Sequence, residues 1–289
     1  MQSHTIPDSL HQKVEKATRS IQALNGVVVA LSAGVDSSLV ALLAKRALGD
    51  RAVGVTAVSE SLPPGELDIA KKTAKEIGIR HLIVQTDEIH NPNYVSNPSN
   101  RCYYCKDTLY KELANTSKDL GLEAILDGTQ LDDLADDRPG LQAARDAGVR
   151  SPLLEAGFSK EDVRKAAEVF GLSVWDKPAM PCLSSRIPHG EEVTEAKLSA
   201  VGIAEQFIKA LIGVRELRVR YTNGQARIEV APNERRLFFD EGVMDRIDRE
   251  LTRIGFSEVT LDLKGYSRRP SLPPKDGGIV LPVVDATRG

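Results

Sequence analysis

The chain has 289 residues, 41% hydrophobic and 27% charged, the balance of a folded globular protein and enough for two domains. A formal net charge of −3 gives no global electrostatic case for nucleic acid, and no apolar run approaches the ~18 residues of a membrane span. The N-terminus, MQSHTIPDSLHQKVEKATRS, is polar and has no signal-peptide core, so a cytoplasmic location is expected; the three cysteines, an odd number, argue against a disulfide framework and for metal or redox chemistry.

Leu10, Val14, Ala17, Ile21 and Leu24 recur at helical spacing behind Asp8-Ser9, with Gly26 as the stop. A β-branched run then predicts a strand over 27–32. It feeds the turn Ser32-Ala33-Gly34-Val35-Asp36-Ser37 and a helix reaching Leu48. Strands are predicted at 52–59, 81–86 and 123–128, with helices at 63–78, 103–120, 141–147 and 159–170 and an Asn/Pro-rich loop at 90–100. This alternation predicts an α/β fold with a doubly wound parallel sheet, whose ligands bind at the carboxyl ends of strands near the switch point. The turns after the first and fourth strands then face one site, which places Asp127, Gly128, Thr129, Asp132 and Asp133 near the 32–37 turn. Beyond residue 190 the order becomes helix (194–213), two strands (216–221, 226–231) joined across Asn223-Gly224, a helix and a last strand at 258–263. The expected domains are therefore 1–190 and a small α+β unit over 191–289, ending in a Pro/Gly-rich and partly disordered tail.

The 32–37 turn is the most informative stretch. A small-residue turn between a buried strand and a helix leaves backbone N–H groups unpaired at a helix N-terminus, where they and the helix dipole bind phosphate. Ser32, Ser37 and Ser38 add hydroxyls, and Asp36 is placed to hold a metal ion bridging the phosphates. No Gly-Lys-Ser/Thr follows, so this is not a Walker loop. The pattern resembles the PP-loop of the ATP pyrophosphatases, Ser-Gly-Gly-x-Asp-Ser. The resemblance implies that ATP, held by Ser32, Ala33, Gly34, Val35, Asp36, Ser37, Ser38 and Gly128 with Mg²⁺ on Asp36, adenylates a substrate and releases pyrophosphate. Ala33 stands where the family has its first Gly. A positive φ there costs Ala about 1 kcal/mol or more, so the loop is either αR or β at Ala33 or strained.

Cys102-Tyr-Tyr-Cys105 opens a helix, and Cys182 lies in Pro181-Cys182-Leu-Ser-Ser-Arg186. Cys-x-x-Cys alone fits a redox pair, half a zinc site or part of an iron–sulfur cluster, or two simply buried thiols. Zinc would need His189 as a fourth ligand, and a redox pair leaves Cys182 unexplained. Arg101, Lys106 and the helix N-terminus are expected to lower the thiol pKa.

The PP-loop, Arg101-Cys-x-x-Cys-Lys106 and Pro181-Cys-Leu-Ser-Ser-Arg186 together resemble LarE-type ATP-dependent sulfur transferases over most of the chain, with Cys-Leu-Ser-Ser-Arg the most specific part. The resemblance implies that a carboxylate of pyridinium-3,5-biscarboxylate mononucleotide is adenylated and converted to a thiocarboxylate, in the biosynthesis of a nickel-pincer nucleotide cofactor. One branch of the family sacrifices the sulfur of the cysteine at position 182. The other holds a [4Fe–4S] cluster on three cysteines, and this chain has all three: Cys102, Cys105 and Cys182. Catalytic roles are implied for Cys182, Asp36 and Lys106, and substrate-phosphate contacts for Ser185, Arg186, Arg218 and Arg220. Glu229 is a further candidate for a metal or oligomer-interface site, with an arginine across the hairpin as the simpler partner. The implied partners are a small nucleotide substrate, further copies of the chain in a homo-oligomer, and a nickel-inserting enzyme that takes the product. A PP-loop tRNA thiolase is the first rival, against which the net charge and the absence of a basic patch larger than Ser267-Arg268-Arg269 both count. An amide-forming ligase such as NAD synthetase and a non-catalytic zinc or nucleotide module are the others.

Overall fold

The computed structural model describes residues 7–135 and 139–266. The tail from 267 on, including the Ser267-Arg268-Arg269 patch, lies outside the described residues. The elements run α1 (Asp8–Gln22), β1 (Val27–Ala30), α2 (Val35–Leu48), β2 (Ala52–Val58), α3 (Glu66–Ile77), β3 (Arg80–Gln85), α4 (Pro92–Val95), α5 (Arg101–Asp119), β4 (Ala124–Leu126), α6 (Pro139–Asp146), α7 (Pro152–Ala156), α8 (Lys160–Val169), α9 (Glu195–Ile212), β5 (Leu217–Thr222), β6 (Gln225–Val230), α10 (Glu241–Ile254) and β7 (Glu258–Leu261).

The first four strands pair in parallel in the order β3-β2-β1-β4. β1 sits inside this sheet and is covered on both faces, which is why it reads as a continuous apolar run rather than an alternating one. Val27 and Val29 pack with α1, α2 and α8, while Val28 packs with Tyr110 and Leu113 of α5 and Ala143 of α6. Each such valine contributes about 1.5 kcal/mol or more by leaving water. The chain steps outward from β1 to β3 and then returns to the other side of β1 for β4, so the switch point lies between β1 and β4.

The second sheet has the order β5-β6-β7, antiparallel across the hairpin and parallel between β6 and β7. Asn223 and Gly224 carry φ of 48° and 87°, the left-handed pair that a tight hairpin turn requires. α9 and α10 start on side-chain caps, Thr194 accepting from the Lys197 N–H and Asp240 from the Val243 N–H. Leu183 and Ile187, which follow Cys182, and Tyr94 of α4 share this core with Leu198, Val219 and Phe256. The sulfur-bearing segment is therefore packed onto the second sheet's core although it precedes the second unit in the chain.

Two predicted details differ. The Asn/Pro-rich loop folds in part: Pro92 starts the short α4 behind an Asn91 cap, and Asn97, fully buried, donates from its amide to the Pro188 and Glu191 carbonyls. A polar side chain aimed at backbone acceptors leaves no hydrophobic period to read. The short α7 was also not predicted, because five residues hold little more than one turn of pattern.

Candidate active site

β1 delivers the phosphate loop to the sheet's carboxyl edge. Gly34 is the residue before α2 and no side chain caps the helix, so the first N–H groups of α2 point into the open end of the sheet. Ser37 Oγ accepts from the Ser32 N–H at 3.2 Å and donates to the Gly34 carbonyl at 3.1 Å. Ser38 Oγ reaches the same carbonyl at 2.8 Å. Ala33 has φ 59° and is fully buried, so the loop takes the strained alternative. Gly128 closes over the loop from β4. A Cβ there would lie 2.6 Å from the Ser37 backbone nitrogen and 2.9 Å from Asp36, an approach only glycine permits.

Asp36 Oδ2 pairs with Lys160 Nζ of α8 at 2.5 Å, while its buried Oδ1 has no hydrogen-bond partner. Burial raises the Asp36 pKa above the ordinary carboxylate value, Lys160 offsets part of that, and Asp133 adds to the rise. A buried carboxylate oxygen without a donor fits a cation such as Mg²⁺. Asp127 is spoken for: Ser151, Thr129 and Tyr110 hydroxyls donate to it at 2.6, 2.8 and 3.2 Å. Asp132 accepts from the Lys160 backbone N–H at 2.7 Å, which fixes the start of α8 beside the loop.

A cleft of about 510 Å³ opens between the turns after β1 and β4, as the switch-point argument predicts. Ser32, Asp36, Ser37, Gly128 and Thr129 line one side, and Cys102 and Lys106 of α5 line the other. Lys106 stands over the Tyr110 ring at 5.4 Å. Burial pulls its pKa down, but Tyr110, Asp127 and Cys105 outweigh that and raise it, so it is held as an ammonium. Burial moves Tyr110 up to about 12.

The Cys182 loop is held differently, by arginines on its carbonyl oxygens. Arg164 donates to the Trp175 and Lys177 carbonyls at 2.8 and 3.0 Å, and Arg218 to Ala179 at 2.6 Å. Arg186 reaches Pro181 and Cys182 at 2.8 and 3.1 Å, Arg101 reaches Ser184 at 2.9 Å, and Arg220 reaches Ser185 at 2.8 Å. Arg186 also makes a two-pronged pair with Glu205 at 2.8 and 3.0 Å, with both side chains buried. Its donors are spent inside the protein, on the loop and Glu205 rather than the expected substrate phosphate. Ser185 Oγ donates to the Cys182 carbonyl at 2.8 Å.

Arg218 and Arg220 share the β5 face turned towards this loop, Arg218 almost fully buried. Burial and the Arg186 charge lower the Arg218 pKa. Glu229 does not join a metal set: its two oxygens are taken by Arg220 at 2.9 Å and Arg227 at 2.8 Å, the simpler of the two expectations.

Cys105 lies one helical turn beyond Cys102. Burial pushes its thiol pKa up, and the neighbouring Cys182 and Glu88 push it further. The expected lowering by Arg101 and Lys106 does not prevail. Lys106 acts in that direction but is outweighed, and the Arg101 guanidinium is turned to Asn97 Oδ1 and Ser184 O. Glu88, buried, accepts from Ser59 at 2.7 Å and Ser61 at 3.2 Å on one oxygen, with Cys105 Sγ at 3.9 Å; its other oxygen has no partner. Cys102 is exposed. Among the described residues no three His, Cys, Asp or Glu side chains are grouped for a single metal ion, and His189 is exposed, so a Cys₃His zinc site is not formed. Three thiols from one helix turn and one loop, two of them close enough to feel each other's charge, fit in donor type the soft ligands of an iron–sulfur cluster.

Sequence reasoning missed Lys160, Lys177, Glu66, Glu88 and Glu205. Lys177 donates to Glu66 Oε2 at 2.7 Å and to the Ala33 carbonyl at 3.0 Å.

A family model described as NAD synthase matches residues 3–99. A protein of Synechocystis sp. described as uncharacterized is 46% identical over 257 residues, 89% of this chain and 96% of its own length. The pyridinium-3,5-bisthiocarboxylic acid mononucleotide synthase of Lactiplantibacillus plantarum is 38% identical over 255 residues, 87% of this chain and 91% of its own. The tRNA-specific 2-thiouridylase MnmA of Rickettsia typhi is 29% identical over 251 residues, 72% of this chain and 70% of its own. No helix among the described residues is long and apolar enough to cross a membrane. With identity at that level across nearly all of the synthase, and a Ser-Ala-Gly-Val-Asp-Ser loop at the switch point of a parallel sheet, this chain belongs to the LarE family of PP-loop, ATP-dependent sulfurtransferases.

Proposed function

We propose that the protein adenylates a carboxylate of pyridinium-3,5-biscarboxylate mononucleotide and converts it to a thiocarboxylate, with sulfur delivered through a [4Fe–4S] cluster on Cys102, Cys105 and Cys182. One observation carries this reading. α5 presents Cys102 and Lys106 to the phosphate-loop cleft and, on the same turn, Cys105 to Cys182, so one rigid helix joins the two half-sites.

Carboxylate oxygen is a poor leaving group, and adenylation turns it into AMP. The N–H groups of α2 and the Ser32 and Ser37 hydroxyls hold the ATP phosphates, and Gly128 lets the backbone come close to them. Asp36 Oδ1 is the ligand offered to Mg²⁺, which when bound neutralises charge on the departing pyrophosphate. The substrate carboxylate attacks the α-phosphorus, the bond to pyrophosphate breaks, and an acyl adenylate remains. Lys106, kept charged, faces the cleft where that carboxylate and the AMP phosphate must sit. The cluster, when bound, supplies the sulfur that displaces AMP. Cys182 stands beside Cys105 on a loop fixed by Arg164, Arg186, Arg218 and Arg220. Ser185, at the end of that loop, and Arg220 of β5, which reaches the Ser185 carbonyl, are the residues offered to the substrate phosphate. The sequence-based units 1–190 and 191–289 remain our division of the chain, with the sulfur loop at their junction. Homo-oligomer assembly and handover to a nickel-inserting enzyme complete the reading and rest on the family resemblance.

The test is iron and acid-labile sulfide per chain after anaerobic reconstitution, on wild type and Cys105→Ala. About four irons in the wild type, lost in the variant, supports the cluster. No iron, with Cys182 losing its sulfur on turnover, replaces it by a sacrificial cysteine. Salt-dependent binding of tRNA in a gel shift would favour the thiolase rival.

A further inference from the structure

Ala33 is the one non-glycine residue of the phosphate loop with φ in the left-handed region, and it is fully buried. Such a conformation persists only where the surroundings over-determine it. Within the loop, the serine hydroxyls bond to Gly34 and to each other, not to Ala33. The Ala33 carbonyl instead accepts from the ammonium of Lys177, 144 positions on in the chain, at 3.0 Å. Lys177 is itself constrained at both ends. Its ammonium pairs with Glu66 Oε2 at 2.7 Å, both side chains largely buried, and its carbonyl accepts from Arg164 of α8 at 3.0 Å. α8 also carries Lys160, which holds Asp36 in the same loop.

We propose that Lys177 is a positioning residue that holds the Ala33 peptide in its left-handed, phosphate-ready conformation, doing by a hydrogen bond what a glycine would do by its backbone freedom. The ammonium donates to the carbonyl that the turned peptide presents, and the Glu66 carboxylate keeps it aimed there. Lys177 also heads the segment that leads to Cys182, so the same contact ties the phosphate loop to the sulfur-bearing loop. The inference rests on the reading that the 32–37 loop binds ATP.

The test separates propping the loop from touching the phosphates. MgATP and pyrophosphate binding are measured by calorimetry in full-length protein carrying Glu66→Gln, so that no buried carboxylate is orphaned when the lysine is removed. Lys177→Met is then added with and without Ala33→Gly. Lys177→Met is expected to weaken MgATP binding about tenfold when Ala33 is retained and no more than about twofold when Ala33→Gly is present, a coupling that only a shared constraint produces. Amide hydrogen exchange of residues 33–37 without nucleotide is expected to speed up on Lys177→Met. Equal losses in both backgrounds overturn the proposal and make Lys177 a phosphate ligand. Undiminished binding with unchanged exchange overturns it too. Absence of MgATP binding in wild type and in Glu66→Gln alone would defeat the ATP-loop reading itself, whereas binding without rescue defeats only the role of Lys177.

Discussion

The two loops that meet at this site are stabilised in opposite ways. The phosphate loop over 32–37 is short and built mainly from its own backbone and hydroxyls, with Lys160 on Asp36 and Lys177 on the Ala33 carbonyl as its tethers from elsewhere, and the helix N-terminus behind it carries no side-chain cap. The Cys182 loop has little regular structure beyond a single turn at Leu183–Arg186, yet arginines from α5, α8 and β5, with the loop's own Arg186, fix carbonyls from Trp175 to Ser185. A loop that must bind an anion leaves the first turn of its helix without a side-chain cap. A loop that must present a thiol has its carbonyls tied. The difference shows how a protein places a reactive side chain on irregular backbone: by charge-assisted hydrogen bonds from rigid elements rather than by secondary structure.

The largest expected effect breaks the tied loop. Arg186→Met leaves Glu205 buried without its cation and should cost about 3–5 kcal/mol of stability in urea unfolding. Under native conditions, MgATP binding should fall far less than sulfur transfer. Gly128→Ala strikes the other loop. With its Cβ 2.6 Å from the Ser37 nitrogen, it should cost about 1–3 kcal/mol and abolish measurable MgATP binding, with the exposure of Cys182 to a thiol reagent unchanged. Ala33→Gly relieves the left-handed strain and should stabilise the protein by about 1 kcal/mol or less, read as a raised melting temperature.

The smallest effect concerns pH. The His81 ring sits over the phosphate-loop strand through Thr56, whose hydroxyl donates to the Leu31 carbonyl at 2.7 Å, with the His81 Nε2 2.8 Å from the same oxygen. Burial and then Lys71 lower its pKa below 6.5, so the unfolded chain binds the proton more readily. Stability from this group is therefore complete above the unfolded pKa and declines as pH falls through about 6.5. His81→Gln should flatten that slope in urea midpoints compared at mildly acidic and neutral pH, and an unchanged slope would remove His81 from the account.

How far the sequence could be read follows from the same contrast. The phosphate loop is contiguous, so its strand, turn and helix stand in one stretch, and the cleft at the switch point followed from strand order alone. The cysteine spacings were visible for the same reason. The constraints on the cysteine loop were not, because they join distant residues: Arg101 lies 83 positions from Ser184, and Arg218 39 from Ala179. Arg186 was expected at a phosphate because a motif shows which residues approach a site, not which of their donors the protein uses itself. The rise in the Cys105 pKa likewise needed the burial that packing creates, since its charged sequence neighbours point the other way.

The central claim is that ATP and the three thiols act on one substrate. The most direct measurement is mass spectrometry of small-molecule products and of the intact chain, after the anaerobically reconstituted protein is incubated with MgATP and pyridinium-3,5-biscarboxylate mononucleotide. The account predicts AMP, pyrophosphate and a product with one carboxylate oxygen replaced by sulfur, from a chain of unchanged mass. AMP formation without any sulfur-containing product, or sulfur product with no requirement for ATP, would contradict it.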